Sequence, residues 1–175
     1  MMAHYKTLWG VFFGICLLNK GPQDVDTSRD VQRTVLSCYI LMGVLVMSIS
    51  TDATRAVIQT VLETGMLICF VYVVLSLASL ANRFSQTIIA LFGSGTIMMA
   101  MSIPAIIWLE RVREAETQSV SLGFVLVIFL SWNIAVMAYV LHQAVDKKYF
   151  LSLLLTIVYV FLSYQLIDFI YPIVE

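Results

Sequence analysis

The sequence predicts an all-α integral membrane protein: a transmembrane bundle of about five spans with a short N-terminal interfacial helix. Of its 175 residues, 61% are hydrophobic and 12% are charged, about half the charged fraction of a typical soluble domain. Long stretches also lack Asp, Glu, Lys and Arg, namely those between Arg33 and Asp52, between Arg83 and Glu110, and between Glu116 and Asp146. Uncharged apolar stretches of about 18 residues or more are long enough to cross the hydrocarbon core.

The length of these stretches indicates helices. Strands of a membrane barrel are about ten residues long and alternate apolar with polar side chains, whereas these stretches are longer and apolar throughout. A helix in lipid pairs every backbone N–H and C=O within its own segment. The predicted spans cover residues 32–50, 55–80, 86–109, 119–143 and 149–171. A polar loop is predicted over 110–118, Pro172 is expected to end the last span, and short connections predict antiparallel neighbours.

The chain divides into an N-terminal unit, residues 1–26, and a five-helix transmembrane domain, residues 27–175. The apolar stretch 7–18 is about 12 residues long, or roughly 18 Å as a helix, which is too short to cross a bilayer. It fits an interfacial or re-entrant helix, and a sixth span is the alternative. Gly21-Pro22 then predicts a turn, and Thr27 is the expected cap of the first span.

Lysine and arginine are divided unevenly between the two sides of this topology. One side holds seven of them: Lys6, Lys20, Arg29, Arg33, Arg83, Lys147 and Lys148. The other side holds three: Arg55, Arg111 and Arg113. Because basic residues concentrate in cytoplasmic loops, the N-terminus is predicted to be cytoplasmic and the C-terminus to lie outside.

Several classes of function lack their sequence signatures. A net charge of −1 without a basic cluster gives no case for nucleic-acid binding. The two histidines, His4 and His142, form no metal-spaced cluster, and no nucleophile or phosphate-loop motif is present. Cys16, Cys38 and Cys69 lie in apolar stretches, where they are interpreted as packing residues. The sequence therefore predicts no metal site, no cofactor and no catalytic residue.

Two carboxyl groups are candidates for a substrate or ion pathway. Glu63 lies inside the second span beside Gln59, Thr60 and Thr64, and a carboxylate at that depth is expected to face the bundle or a water-filled cavity. It is either a proton or cation relay, or a structural carboxyl that is hydrogen-bonded to a neighbouring helix or that reaches towards the outer interface. Asp168 lies near the end of the last span and either meets Glu63 in an outward-facing pocket or is an interfacial residue.

Asn133, in the middle of the fourth span, is the third pathway candidate. A buried Asn more often joins helices at about 1 kcal/mol or less than it contacts a substrate. The third span carries the packing signature, because its small residues allow close approach of backbones. These residues are Ala90, Gly93, Ser94 and Gly95. Pro104 further along this span removes one backbone hydrogen bond and is expected to kink the helix.

Three stretches carry a resemblance to a known family. They are LLNKGPQDV over 17–25, NRFSQTIIALFGSGTI over 82–97 and LSYQLIDFIYP over 162–172. Together they resemble the small bacterial inner-membrane proteins that are grouped with the Yip1 superfamily. The resemblance implies a five-helix domain in the bacterial inner membrane with a cytoplasmic N-terminus and a periplasmic C-terminus. Eukaryotic members have a long N-terminal cytoplasmic region and bind trafficking partners; this chain lacks that region, and no functional residue is carried over.

The first functional hypothesis is a non-enzymatic scaffold or accessory subunit that binds other integral membrane proteins or itself within the lipid bilayer. The alternative is a small transporter or channel component that moves protons, cations or a small solute with an intramembrane carboxylate. An intramembrane enzyme ranks third, because it requires a pocket with several convergent polar groups.

Overall fold

The computed structural model describes residues 2–115 and 120–170. These residues form six α-helices and no β-strand. The helices are α1 (Met2–Cys16), α2 (Arg29–Met47), α3 (Ala53–Leu77), α4 (Phe84–Glu114), α5 (Val120–Val145) and α6 (Tyr149–Ile170). Single 3₁₀ turns, Pro22–Asp24 and Ala81–Arg83, come shortly before α2 and α4.

Five helices, α2 to α6, are long and apolar enough to cross a membrane, which confirms the predicted fold class of an integral membrane helix bundle. Two local predictions are wrong. The N-cap of α2 is Ser28 and not Thr27, because the Ser28 hydroxyl accepts the Val31 N–H at 3.5 Å. The polar loop was predicted to begin at Glu110, but α4 continues to Glu114. The remainder of that loop and Pro172 lie outside the described residues.

The extension of α4 has a local cause. The polar residues from Glu110 onward end the apolar stretch of the span, but they do not interrupt the helix. Residues 110–115 contain no Gly or Pro that would end it. Arg113 pairs with Glu110 one turn earlier at 3.5 Å, and basic side chains in a last turn complement the helix dipole. The backbone is also helical through Pro104, so this proline does not end the helix.

The spans run antiparallel, so the bundle has two ends. We call the end with segments 17–28, 78–83 and 146–148 the basic end, and the opposite end, with segment 48–52, the far end. Contacts along the bundle agree with this arrangement: the rings of Tyr39 and Phe92 lie 4.6 Å apart, and Arg83 Nη1 donates to the Ala144 carbonyl at 3.1 Å. Most of the basic side chains therefore share one end, as the charge pattern predicts.

Helix α4 is the central element, because it packs against α1, α2, α3 and α5, whereas α6 packs against α5 and α3. The hydrophobic core is confined to the half of the bundle next to the basic end. Towards the far end it extends only to Leu67 on α3, Met98 on α4 and Val136 on α5. Beyond these residues most of the apolar side chains face outward, and Ala56, Ala105 and Leu122 are the buried hydrophobic residues among those described.

Helix α1 is docked against this core along one face, while Trp9 and Phe13 on its opposite face are exposed. Phe12 covers Gly93, and the Cys16 thiol donates to the Ser94 carbonyl at 3.6 Å, both in the middle of α4. The Trp132 indole N–H donates to the Cys16 carbonyl at 2.9 Å. Burial raises the pKa of the Cys16 thiol to about 11, so the thiol is protonated at neutral pH.

Candidate functional site

Glu63 is held on the inner side of α3 by residues of its own helix. The Gln59 amide, one turn earlier, donates to Glu63 Oε1 at 3.1 Å. Thr60 and Thr64 are buried beside it, and Thr64 donates its hydroxyl proton to the Thr60 carbonyl at 2.7 Å. The spacings of three and four residues place these groups on one face of the helix. The sequence therefore concentrates polar side chains on the face of α3 that packs against the rest of the bundle.

Two tyrosines from other helices meet Glu63. The carboxyl group interacts electrostatically with Tyr39 of α2 and with Tyr159 of α6. Glu63 and Tyr159 each lie ten residues from the nearer end of their helix and Tyr39 lies eight, which corresponds to depths of roughly 12–15 Å. Three polar side chains from three spans thus lie at similar depth, near the middle of a bilayer about 30 Å thick.

A cavity of about 100 Å³ lies next to this group. Tyr39 and Tyr159 line it together with Asn133 of α5, Ser94 of α4 and Leu67, which is one turn from Glu63 on α3. One water molecule needs about 10–15 Å³, so the cavity has room for several water molecules or for a hydrated monovalent ion. The two tyrosines line the cavity and interact electrostatically with Glu63, which is itself not a lining residue.

Packing fixes the positions of both tyrosine rings. Tyr39 lies 4.6 Å from the Phe92 ring, centroid to centroid, and a Cβ atom at Gly95 would approach Tyr39 Cε2 to 2.9 Å. Gly95 therefore makes room for the Tyr39 ring against α4. On the other side, the Tyr159 ring lies 4.8 Å from the Phe70 ring of α3. Each phenol is held between neighbouring helices, so its hydroxyl has a defined position relative to Glu63.

The structure separates Asp168 from Glu63. Asp168 is exposed near the far end of α6, nine residues beyond Tyr159, or roughly 13 Å along the helix axis. No contact joins it to Glu63 within the described residues. Asn133, in contrast, lines the cavity, and its amide has no hydrogen-bond partner among the described residues. Of the three pathway candidates, Glu63 and Asn133 share one region and Asp168 does not.

The small residues of α4 serve packing inside the chain. Ala90 and Ser94 are 0% and 2% exposed, so neither is available to a partner protein. Gly93 accommodates Phe12 and Gly95 accommodates Tyr39. Substituting Leu at Ala90 or Ser94 would therefore disturb the fold before it tested a partner interface.

Tyr39 and Tyr159 were not singled out from the sequence, because an isolated tyrosine in an apolar span resembles any other packing aromatic. A usable signal exists. Both lie mid-span, away from the interfacial positions that membrane tyrosines prefer, and a phenol at that depth needs a polar neighbour.

No family model matches the chain, and no curated protein or solved structure is significantly similar to it. The resemblance to the Yip1 superfamily stays a prediction. The site itself limits the chemistry: within residues 2–115 and 120–170, no group of three or more His, Cys, Asp or Glu side chains is close enough to hold a metal ion. The arrangement offers two phenols and a carboxamide that line a space large enough for water, and a carboxyl group that interacts electrostatically with both phenols. Such a set of groups suits reversible binding of a proton or a monovalent cation.

Proposed function

We propose that the protein is a small transporter or channel component that moves protons or monovalent cations, with Glu63 as the ion-binding group. The single observation that supports this proposal is the convergence of Glu63, Tyr39 and Tyr159 beside the mid-membrane cavity. Ionisable residues inside transmembrane segments are costly, and they mark ion pathways and proton relays. A purely structural carboxyl needs only a hydrogen-bond partner, which Gln59 supplies, and does not need an adjacent cavity.

The distribution of packing supports access to Glu63 from one side. The hydrophobic core ends at Leu67, Met98 and Val136, and these residues also line the cavity. Between the cavity and the basic end the helices are tightly packed, with α1 docked among them. Towards the far end the hydrophobic core does not continue. We infer that Glu63 and the cavity are reached from the far side, which the charge pattern predicts to be the outside.

The test is an ion-flux measurement with the purified protein in liposomes that contain a pH-sensitive dye. An imposed pH gradient should dissipate faster with the wild type than in protein-free liposomes, and Glu63→Gln should reduce the rate to the protein-free level. The substitution keeps the size of the side chain and its ability to hydrogen-bond, and it removes the negative charge and the proton-binding site. Parallel experiments with potassium and sodium gradients distinguish proton from cation transport.

Asp168→Asn is the matched control, because it also neutralises a carboxyl in a span but lies away from the cavity. It should retain most of the wild-type flux. Circular dichroism and gel filtration in detergent check that each variant is folded. Flux in Glu63→Gln equal to that of the wild type, or no flux in the wild type under any of the three gradients, would contradict the proposal.

A membrane scaffold is the second candidate function. Helix α6 favours it, because the inner contacts of this helix bury only Ser152 and Thr156, and its remaining apolar surface is open to lipid or to another membrane protein. Crosslinking in native membranes followed by purification tests this role. A single stoichiometric membrane partner crosslinked through α6 would support it, and recovery of the uncrosslinked monomer alone would exclude it.

A further inference from the structure

A second polar cavity, of about 330 Å³, lies at the basic end, far from Glu63. It is formed where the turn Pro22–Asp24, the start of α4 and the end of α5 come together. Five of the seven lining residues carry side chains that can form hydrogen bonds. They are Gln23, Arg83, Gln86, Thr87 and Gln143.

Most of the hydrogen-bonding capacity of this cavity is unused. Arg83 Nη1 donates to the Ala144 carbonyl at 3.1 Å, but a guanidinium group carries five N–H donors. The carboxamides of Gln23, Gln86 and Gln143 have no hydrogen-bond partner among the described residues. A set of amide and guanidinium donors that converge on a space of this size is suited to an oxygen-rich anion.

The electrostatics of the cavity also favour an anion. Arg83 is its charged side chain, no acidic residue lines it, and no carboxylate of the described chain lies within 4 Å of Arg83. Nearby Asp24 is directed elsewhere, since its Oδ2 accepts the Gly21 backbone N–H at 2.9 Å. The cavity also lies at the end of the bundle that carries most of the lysines and arginines. The lining of the cavity therefore carries one positive charge and no negative charge.

We propose that this cavity binds a phosphate group, and in particular the headgroup phosphate of an anionic phospholipid. The ends of α4 and α5 lie where the headgroups of the bilayer lie, and phosphates are the abundant anions at that level. Basic pockets between transmembrane helices bind such headgroups. The lining has no acidic side chain to pair with a choline or ethanolamine cation, so an anionic headgroup binds in preference to a zwitterionic one.

The experiment measures thermal unfolding of the full-length protein in detergent with added dioleoylphosphatidylglycerol, dioleoylphosphatidylcholine or inorganic phosphate. Phosphatidylglycerol should raise the Tm above its value in phosphatidylcholine by at least about 2 °C. A rise with phosphatidylglycerol alone identifies the lipid headgroup as the ligand, whereas an equal rise with inorganic phosphate shows that a soluble phosphate compound suffices.

Arg83→Gln should abolish this lipid-dependent difference. Arg33→Gln, which removes an exposed arginine outside the cavity at the same end, should retain it. Because Arg83 also caps the Ala144 carbonyl, the double variant Gln86→Leu and Gln143→Leu provides an independent test that keeps this contact, and it should reduce the difference by at least half.

A purely structural role for Arg83 would lower the Tm equally in both lipids and leave their difference intact, and that result would overturn the proposal. The proposal also fails if neither phosphatidylglycerol nor inorganic phosphate raises the Tm of the wild type. The proposal also fails if Arg33→Gln abolishes the Tm difference between the two lipids as completely as Arg83→Gln does.

Discussion

A carboxyl group in a span needs partners from other helices if it is to do more than satisfy its own hydrogen bonds. Gln59 satisfies one oxygen of Glu63 within α3, while the phenols of Tyr39 and Tyr159 approach from α2 and α6. A phenol can donate a hydrogen bond to a carboxylate and accept one from water or a hydrated ion. The two tyrosines thus link the carboxyl to the cavity that they line.

Removing either hydroxyl should slow ion movement without unfolding the protein. Tyr39→Phe and Tyr159→Phe keep the rings that pack against Phe92 and Phe70. We expect each to reduce the flux on the order of tenfold, which corresponds to about 1.4 kcal/mol. The liposome assay measures the loss. Tyr164→Phe, at an exposed position on α6, is the control and should behave as the wild type. Unchanged flux in both cavity variants would remove the tyrosines from the pathway.

At this scale the sequence is informative about Glu63 and uninformative about its partners. A lone carboxylate in an apolar span is conspicuous, because its transfer into lipid is unfavourable. Tyr39 and Tyr159 are far apart in sequence, and only the packing of α2 and α6 around α3 and α4 brings them together. For Asp168, the sequence suggested a contact with Glu63 that the structure does not contain. Both residues were assigned to the same half of the bilayer, but a shared depth does not establish contact between helices.

At the scale of elements, α1 depends on a close approach to α4. Gly93 has no side chain, and the Phe12 ring occupies the space that a Cβ atom would fill, with Phe12 Cγ 2.6 Å from that position. The carbonyl of Cys16, in the last turn of α1, has no acceptor role within the helix and is satisfied by the Trp132 indole. A short helix is therefore fixed to the core by its buried apolar face, by the contact of Phe12 with Gly93 and by the two hydrogen bonds of Cys16.

Gly93→Ala should destabilise the protein by about 1–3 kcal/mol, because the added methyl group forces the Phe12 ring out of its place. Thermal unfolding in detergent measures the loss. Combining Gly93→Ala with Phe12→Leu should restore part of the stability, since the smaller side chain relieves the clash.

Gly65→Ala and Gly123→Ala are the matched controls for this prediction, since a Cβ atom at either position meets no atom within 4 Å. Both should be neutral or stabilising by up to about 1 kcal/mol, the helix preference for Ala over Gly. If Gly93→Ala is as stable as these controls, α1 is not docked as described.

The sequence predicts the elements well because membrane helices follow from local composition. Each of the five spans is a continuous apolar stretch, and its length is set by the bilayer. Local boundaries are less certain, as the extension of α4 to Glu114 shows, because a helix continues into water wherever no residue interrupts it. The docking of α1 was not predictable, since Gly93 and Phe12 reveal their contact only when the tertiary arrangement is known.

For the whole molecule, the uneven packing of the two halves determines where water can enter. The core joins α1 to α5 on the basic side of the cavity, and no comparable core of described residues joins the spans on the far side. A rearrangement that opened the basic side would have to separate α4 from α5 and release α1 from Gly93. Phe12 and Trp132 therefore lie at the contacts that any alternating-access movement would change.

One-sided access predicts a pattern of cysteine labelling. In a background with Cys16, Cys38 and Cys69 replaced by Ala, Asn133→Cys should react with a membrane-impermeant maleimide that is added from the far side. Val140→Cys should not react from either side, because Val140 is fully buried in the core between the cavity and the basic end.

Two exposed loop positions fix the sides of the membrane: Ser50→Cys at the far end and Lys147→Cys at the basic end. In right-side-out vesicles, the orientation predicted from the basic residues requires labelling of Ser50→Cys and Asn133→Cys but not of Lys147→Cys. In inside-out vesicles, only Lys147→Cys should react. Labelling of Asn133→Cys from the same side as Lys147→Cys would show that water reaches Glu63 through the packed half, which is incompatible with a core that closes the basic side of the cavity.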